Sequence, residues 1–141
     1  MKDYVLDANA VLRHFKVGNA SGAEEVHDLF LRAQRKQARL FMSVIHVGEV
    51  FYILLRDIGE QRALHYIQVL QRGVTIVEAD ISHTIQAATL KHRHKLGYAD
   101  SFAAALALAS RATLVSADPS FESVGKSLKW MRLPKFSARS H

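Results

Sequence analysis

Residues 96–109 read LGYADSFAAALALA and place one aspartate, Asp100, at the head of a run of small and apolar side chains. The run from Phe102 to Ala109 predicts a helix that packs into the protein core. A carboxylate that leaves water without a partner either costs several kcal/mol or becomes protonated. Asp100 is therefore either the N-cap of this helix or part of a site that supplies a partner for its charge.

Strand and helix patterns alternate on both sides of this helix. Short apolar or β-branched strands are predicted at residues 4–6, 39–42, 74–77 and 113–116, with a final edge strand around 129–133. Amphipathic helices are predicted between them, ending near residues 15, 35, 56, 73 and 94. This alternation predicts an α/β protein with a three-layer α/β/α architecture, in which helices flank a central, mainly parallel sheet. Ligands of such sheets bind beyond the carboxyl ends of the strands.

Length and composition indicate one globular domain that spans residues 1–141. The chain is 49% apolar and 23% charged, a balance that suits a single hydrophobic core. We expect that core within about residues 4–122, followed by a basic C-terminal segment at 123–141. No apolar stretch approaches the roughly 20 residues of a membrane span, and the chain has no cysteine. We therefore expect a cytoplasmic protein without a membrane partner.

The chain carries a formal net charge of +6, which favours a polyanionic partner such as nucleic acid. Its cations cluster at three places: Arg32 to Arg39, the KHRHK run from Lys91 to Lys95, and Lys126, Lys129, Arg132, Lys135 and Arg139 near the end. Cations also favour helix C-termini for local electrostatic reasons. Charge alone therefore indicates a partner class without locating a binding surface.

Four acidic residues occupy positions where a solvated surface charge is not expected. Asp7 directly follows the first strand and Asp118 follows the strand at 113–116 by two residues, so both should lie along the same edge of the sheet. Glu49 has Ile45, Tyr52 and Ile53 as helical neighbours, which predicts an inward-facing carboxylate. Asp100, at the head of its alanine-rich helix, is the fourth.

Each acid has a structural explanation when it is taken alone: a strand-end turn for Asp7, an N-cap for Asp100, an Asx turn for Asp118 and a solvated surface acid for Glu49. Together they predict like charges within a few ångströms, and two such charges about 4 Å apart repel by roughly 4 kcal/mol at an effective dielectric constant of 20. A bound cation relieves that repulsion. An all-oxygen ligand set without cysteine favours a hard ion, Mg²⁺ or Mn²⁺.

Four segments in order, VLDANAVL, SVIHVGEVFYIL, LGYADSFAAALALA and LVSADPSF, resemble the acidic motifs of PIN-domain ribonucleases, especially the VapC toxins of toxin–antitoxin pairs. The resemblance covers about residues 4–121. By motif it implies that Asp7, Glu49, Asp100 and Asp118 are the catalytic acids and metal ligands, supported by Asn9, Ser43, Ser101 and Ser116. One departure is Ala8, which stands where the family usually has threonine or serine.

The resemblance implies a PIN-like α/β/α fold and a Mg²⁺- or Mn²⁺-dependent endoribonuclease. Such an enzyme would cut single-stranded RNA, in a transfer RNA, a ribosomal loop or a messenger, and leave a 3′-hydroxyl and a 5′-phosphate. It also implies a small VapB-type antitoxin and a homodimer. We expect the apolar helix faces at Phe51, Tyr52 and Leu55, or at Leu64 and Ile67, to bind the antitoxin or a second subunit. Packing of these faces into the core is the structural alternative.

Basic side chains near the acids are candidates for holding the RNA backbone: Arg13, Lys91, Arg93 and Lys95. We assign no histidine to catalysis, because a packed or solvated imidazole explains His46 as well. Two other functions stay open. One is a non-catalytic RNA-binding module of PIN shape, which the complete set of four acids disfavours. The other is a DNA-directed nuclease, which the absence of long insertions disfavours.

Overall fold

A five-stranded parallel sheet organises the protein, and the computed structural model describes residues 1–15 and 22–134. The elements in chain order are β1 (Lys2–Leu6), α1 (Ala8–Phe15), α2 (Ala23–Gln34), β2 (Ala38–Ser43), α3 (Val44–Ile58), α4 (Glu60–Gly73), β3 (Thr75–Val77), α5 (Ile81–Arg93), α6 (Tyr98–Ser110), β4 (Thr113–Ser116), a 3₁₀ helix (Pro119–Val124) and β5 (Trp130–Arg132). Lys135 and Arg139 of the basic C-terminal segment lie outside the described residues.

The strand order is β3-β2-β1-β4-β5, and all four neighbouring pairs are parallel. Leu6 pairs with Val115 near the carboxyl ends of the two inner strands, and Ser116 pairs with Arg132 at the β5 edge. Parallel strands buried on both faces require helices as connections and covers. The sheet therefore presents one row of carboxyl ends, with β1 and β4 at its middle.

Side chains alternate between two cores, as the two-residue period of a strand requires. Tyr4 and Leu6 face the larger core, to which α1, α2, α3 and α4 contribute buried side chains such as Val11 and Leu29. Val5 faces the opposite core, formed with the alanine face of α6 and with Phe121 of the 3₁₀ helix. Helix α5 packs on α6 outside this second core. The predicted three-layer α/β/α architecture is confirmed.

The helix ends follow from individual side chains and backbone angles. Ser43 pairs with Val77 in the sheet, and its hydroxyl also accepts a hydrogen bond from the Ile45 amide, so one residue ends β2 and caps α3. Gly59 has a φ of 85°, a conformation that glycine adopts without strain, and it separates α3 from α4. None of the helices in the described residues has the length and apolar character needed to cross a membrane.

Candidate active site

Two of the four predicted acids come together because their strands are neighbours. Asp7 directly follows β1, and its amide donates to the Val115 carbonyl of β4 at 3.4 Å. Asp118 follows β4 by two residues, so both carboxylates lie at the carboxyl edge of the sheet. The Asp7 side chain is 4% exposed and accepts a hydrogen bond of 2.8 Å from the Ala10 amide at the start of α1. Asp7 is thus fixed by the first turn of the helix that it precedes.

Ser116 connects these two acids. Its hydroxyl oxygen accepts a hydrogen bond of 3.0 Å from the Asp118 amide, and the hydroxyl also hydrogen-bonds to the Asp7 carboxylate. Ser116 is fully buried at the end of β4. Burial raises the pKa of Asp7 above its ordinary value, and the bonds from Ser116 and Ala10 offset only part of that rise. The Ser116 hydroxyl therefore lies between Asp7 and Asp118 and bonds to both residues.

Asp100 reaches the same edge of the sheet from α6. The helix begins at Tyr98 after Gly97, so Asp100 lies in the first turn and the N-cap interpretation of this aspartate is wrong. Residue 97 is a glycine at a close approach: a β-carbon there would lie 3.4 Å from the Asp100 carboxylate. The alanine face of α6 packs against the sheet and holds this turn near the ends of β1 and β4.

The carboxyl groups of Asp100 and Asp118 hydrogen-bond to each other through one proton, and the two groups differ in their affinity for it. Burial, the bond to Asp118 and the charges of Asp118, Asp7 and Glu49 raise the pKa of Asp100 to about 7. Burial alone would also raise the pKa of Asp118, but hydrogen bonds from Ser120 and Asp100 outweigh it and hold that pKa below its ordinary value. The shared proton therefore belongs mainly to Asp100, and the four acids act on one another electrostatically.

Glu49 lies at the mouth of the site and is more exposed than predicted. Its side chain is 47% exposed, because α3 turns its neighbour Val50 and also Leu54 into the core and leaves Glu49 on the adjoining face. The expectation of an inward-facing Glu49 is wrong in this respect. One carboxylate oxygen of Glu49 lies 3.2 Å from Nδ1 of His46, one helical turn earlier.

His46 is packed, as expected for this residue, and it lies beside the acids. It is 1% exposed, its Nδ1 accepts a hydrogen bond of 3.0 Å from the Ala8 amide, and its Nε2 lies 2.7 Å from the Ala99 carbonyl. The imidazole thus joins the segment after β1 to the start of α6. The spacing of three residues between His46 and Glu49 on one helix is the sequence signal that places this histidine at the site.

An open cleft of about 390 Å³ brings these side chains together. Its lining residues are Asp7, Ala8, Asn9, Arg13, His46, Glu49, Asp100, Ala117 and Asp118. A larger cleft of about 500 Å³ lies between α2 and α4, but no carboxylate lines it. The chemistry of the lining, rather than the volume, identifies the candidate site.

The ligand atoms available in this cleft are of the chemical kind that a hard divalent cation prefers. They are carboxylate oxygens, and the one buried imidazole already uses both nitrogens in contacts with backbone groups. The proton between Asp100 and Asp118 lies among several carboxylates, where their combined negative charge favours a positive charge. Among the described residues, however, no three histidine, aspartate or glutamate side chains have the arrangement that encloses an ion. A cation at these carboxylates would compete with the proton that Asp100 holds below about pH 7.

The remaining supporting residues have structural partners. Asn9 lines the cleft, and its side-chain oxygen accepts a bond of 2.8 Å from Arg13. Ser43 is buried as the cap of α3, and the Ser101 hydroxyl donates to the Gly97 carbonyl in its own helix at 3.0 Å. Neither serine lines the cleft. The structure thus brings Asn9 and Ser116 to the acids, whereas Ser43 and Ser101 support the helices that carry Glu49 and Asp100.

Arg13 does not have the exposure that an RNA contact needs. It is 1% exposed, and its guanidinium donates to the Asn9 side chain and, at 2.7 Å, to the Pro134 carbonyl. Arg13 thus lines the cleft, but its burial and its bonds to other groups do not favour the predicted contact with the RNA backbone. The residue instead ties α1 to the chain that follows β5, and its charge acts on Asp7 from within the protein.

The KHRHK cations also lie away from the cleft. The Lys91 ammonium donates to the Leu96 carbonyl at 3.0 Å. Arg93 lines a depression with Leu108 and Ala109, at the end of α6 opposite Asp100. Neither these two residues nor Lys95 lines the acidic cleft. The structure therefore does not bring the predicted basic group to the acids, because α5 directs its C-terminal turn towards the far end of α6.

The predicted apolar faces are only partly free. Phe51 and Ile67 pack against the larger core, as the structural alternative required. Tyr52, Leu55 and Leu64 are exposed. Of the predicted partner surface on α3 and α4, these three side chains are the exposed members.

Comparison with known proteins agrees with this architecture. The family model of the PIN domain matches residues 4–127. VapBC2 from Rickettsia felis, bound to promoter DNA, superposes with a TM-score of 0.74 at 18% identity and covers 93% of this chain and 98% of that chain. DNA-bound VapBC from Salmonella typhimurium has a TM-score of 0.75 at 17% identity and covers 94% and 98%. VapC20 from Mycobacterium tuberculosis, a sarcin–ricin loop cleaving toxin, has a TM-score of 0.69 at 16% identity and covers 89% and 98%. A sequence search of curated proteins gave no significant match.

Proposed function

Because the chain belongs to the PIN domain family, we propose that it is a metal-dependent endoribonuclease that cuts single-stranded RNA. The observation that carries the proposal is the convergence of Asp7, Glu49, Asp100 and Asp118 on one open cleft. A structural role would not require four carboxylates so close that one of them keeps a proton to about pH 7. The motif order and the fold support the same assignment.

Asp7 and Asp100 would hold the cation directly, and Glu49 and Asp118 would complete its shell or orient the attacking water. A bound Mg²⁺ or Mn²⁺ would polarise the scissile phosphate and stabilise charge on the leaving oxygen. Water attack on phosphorus with cleavage of the bond to the 3′ oxygen leaves a 3′-hydroxyl and a 5′-phosphate. Glu49 is exposed at the cleft mouth, where it can accept a proton from a water molecule.

The other residues of the site would keep the acids in position. Ser116 holds Asp7 and the Asp118 amide, and the Ser120 amide donates to the Asp118 carboxylate at 2.9 Å. His46 fixes the distance between α3, α6 and the first residue of α1. Such positioning residues determine activity through the geometry of the acids that they hold.

Cleavage of a labelled single-stranded RNA by the purified protein tests this proposal. We expect cleavage with Mg²⁺ or Mn²⁺, none in EDTA, and a loss of about 100-fold or more in Asp7→Asn and Asp100→Asn. Asp28→Asn, which removes an exposed carboxylate from α2, is the matched control and should cut like the parent protein.

Substrate comparison separates the alternatives. A protein that binds RNA but never cuts it, at any metal concentration, would be the non-catalytic module. Cleavage of single-stranded DNA at a higher rate than RNA of the same sequence would make it a DNA-directed nuclease. The transfer RNA, ribosomal and messenger substrates are then distinguished by mapping the 5′-phosphate ends of the products.

We further propose that the protein is the toxin of a toxin–antitoxin pair, works in the cytoplasm as a homodimer and is silenced by a small VapB-type antitoxin. VapBC complexes are among its structural neighbours, and Tyr52, Leu55 and Leu64 leave apolar surface uncovered. Co-expression with the product of a short adjacent gene should yield a stable complex without nuclease activity. Analytical ultracentrifugation of the protein alone tests the dimer, and a sedimenting monomer at all concentrations would exclude it.

A further inference from the structure

The acidic cleft raises a question about how a polyanion is held there. Four carboxylates line it, and the only cation among its lining residues is Arg13, which is buried and bonded to Asn9 and Pro134. A bound divalent ion offsets part of the negative charge, but RNA backbone on either side of the scissile phosphate still needs contacts. Those contacts must come from residues at the rim.

The two edges of the sheet differ in charge at this rim. Beyond the carboxyl end of β3, on one side, the chain carries exposed Glu78 and Asp80, and Asp80 is committed to capping α5. At the carboxyl end of β5, on the other side, stands exposed Arg132. A phosphodiester chain is repelled at the β3 edge and attracted at the β5 edge.

Arg132 is close to the acids through the register of the sheet. It pairs with Ser116, so their α-carbons lie about 5 Å apart, and Ser116 hydrogen-bonds to Asp7 and to the Asp118 amide. Its side chain shares a face of the sheet with Trp130, and Trp130 packs with Phe121 of the 3₁₀ helix that Asp118 caps. Arg132 therefore lies on the Asp118 side of the cleft.

The guanidinium of Arg132 contacts an aromatic ring and has no ion-pair partner among the described residues. It stacks over the Trp130 ring at 5.0 Å from the centroid, and the Trp130 indole donates to the Ser116 carbonyl at 3.0 Å. The same carbonyl accepts from the Leu133 amide at 2.9 Å, which fixes the chain on both sides of Arg132. A guanidinium already stacked on a ring and without an ion-pair partner among the described residues loses less entropy on binding a phosphate than a free one does.

We propose that Arg132, held on Trp130, binds a backbone phosphate of the RNA next to the scissile position and directs the strand out of the cleft over the β5 edge. This inference rests on the proposed ribonuclease function. Lys129 provides a matched control, because it immediately precedes the same strand, is exposed, and lies about 10 Å away towards the opposite end of β5.

Steady-state cleavage of a labelled single-stranded RNA tests this contact. The rate is measured at salt concentrations of about 50 to 300 mM, a range in which counterion release changes the affinity for RNA. Arg132→Gln should lower kcat/KM about 10-fold through KM, and should reduce the slope of log kcat/KM against log salt by about 0.7. Arg132→Lys keeps the charge and should recover most of the loss. Lys129→Gln should match the parent protein in both KM and slope. Fluorescence of Trp130, the only tryptophan, checks that the edge strand is intact in each variant.

Three results would overturn the assignment of Arg132 while leaving the nuclease in place: Arg132→Gln equal to the parent protein, Arg132→Gln and Lys129→Gln equally impaired, or Arg132→Lys as weak as Arg132→Gln. The last result would indicate that the planar guanidinium stacks on an RNA base instead of binding a phosphate. A parent protein that leaves RNA uncut overturns the ribonuclease proposal itself, and the Arg132 contact with it.

Discussion

Replacement of Asp100 by asparagine should stabilise the metal-free protein at neutral pH. The pKa of Asp100 rises from an ordinary 3.8 to about 7, so the folded protein holds this proton more tightly than the unfolded chain does. That contribution is fully present below about pH 4 and is lost as the pH rises through 7. Above pH 7 the folded state contains an ionised Asp100 beside Asp118 and Asp7, which the Asp100→Asn variant avoids.

The size of this effect follows from the pKa difference. The difference between a pKa of 3.8 and one of about 7 corresponds, at about 1.4 kcal/mol per pKa unit, to about 4 kcal/mol for a fully buried carboxyl group. Asp100 is only partly buried, and water at the cleft mouth weakens its interactions. We therefore expect the stability advantage of Asp100→Asn to grow from near zero at pH 4 to about 1–2 kcal/mol at pH 8.

Urea unfolding in EDTA at pH 4, 6 and 8, followed by circular dichroism, measures this difference. Asp118→Asn is the contrasting variant, because the pKa of Asp118 is lowered in the folded protein and its ionised form is the stabilised one. It should destabilise the protein at pH 8 and lose that effect as the pH falls. A constant difference between parent and Asp100→Asn across this range, or a less stable variant at pH 8, would refute the repulsion that we infer.

Three further exchanges test how the acids are held. Ser116→Ala removes the partner of the Asp118 amide and of Asp7, and should lower the free energy of unfolding by about 1–2 kcal/mol in urea, more than Ser101→Ala does. His46→Ala leaves the Ala8 amide and the Ala99 carbonyl without partners beside a cavity, and should cost about 3 kcal/mol, whereas the exposed His65→Ala should change the melting temperature little. Gly22→Ala places a β-carbon 2.7 Å from the Arg13 guanidinium at a φ of 81°, and should destabilise by about 2 kcal/mol, whereas Gly48→Ala, within α3 and with open space around the added β-carbon, should not destabilise.

The sheet and the acids could be predicted from the sequence because both follow from short-range patterns. Alternating strand and helix segments determine a parallel sheet, and the carboxyl-end rule then brings Asp7 and Asp118 together without knowledge of any side-chain contact. The bounds of β2 differ from the prediction by one residue at each end, since Ser43 serves both the strand and the next helix. Asp100 lies at the head of its helix as predicted, although Gly97 rather than Asp100 is the cap of that helix.

The basic residues could not be placed in this way, because their partners are far away in the chain. The carbonyl that binds Arg13 belongs to Pro134, 121 residues later, and no local pattern indicates it. Whether Arg93 reaches the cleft depends on how α5 lies against α6, which periodicity does not determine. The sequence shows Arg132 only as one cation of a basic C-terminal segment, since its position next to Ser116 depends on the register between β4 and β5.

Charge at this sheet edge would link folding to binding of the proposed cation. Below about pH 7 the metal-free protein keeps Asp100 protonated, and bonds from Ser116 and Ala10 offset part of the burial of Asp7, so the repulsion is reduced but not removed. A cation that binds only the folded state relieves the rest and stabilises the protein by RT ln(1 + [M]/Kd), about 2.7 kcal/mol at 100 times Kd. Asp100→Asn should therefore lose the pH dependence and most of the metal-induced rise in melting temperature together. A variant that lost the pH dependence of stability but kept the metal-induced rise in melting temperature would show that the proton and the cation bind at different carboxylates. That result would contradict a site in which both share Asp100.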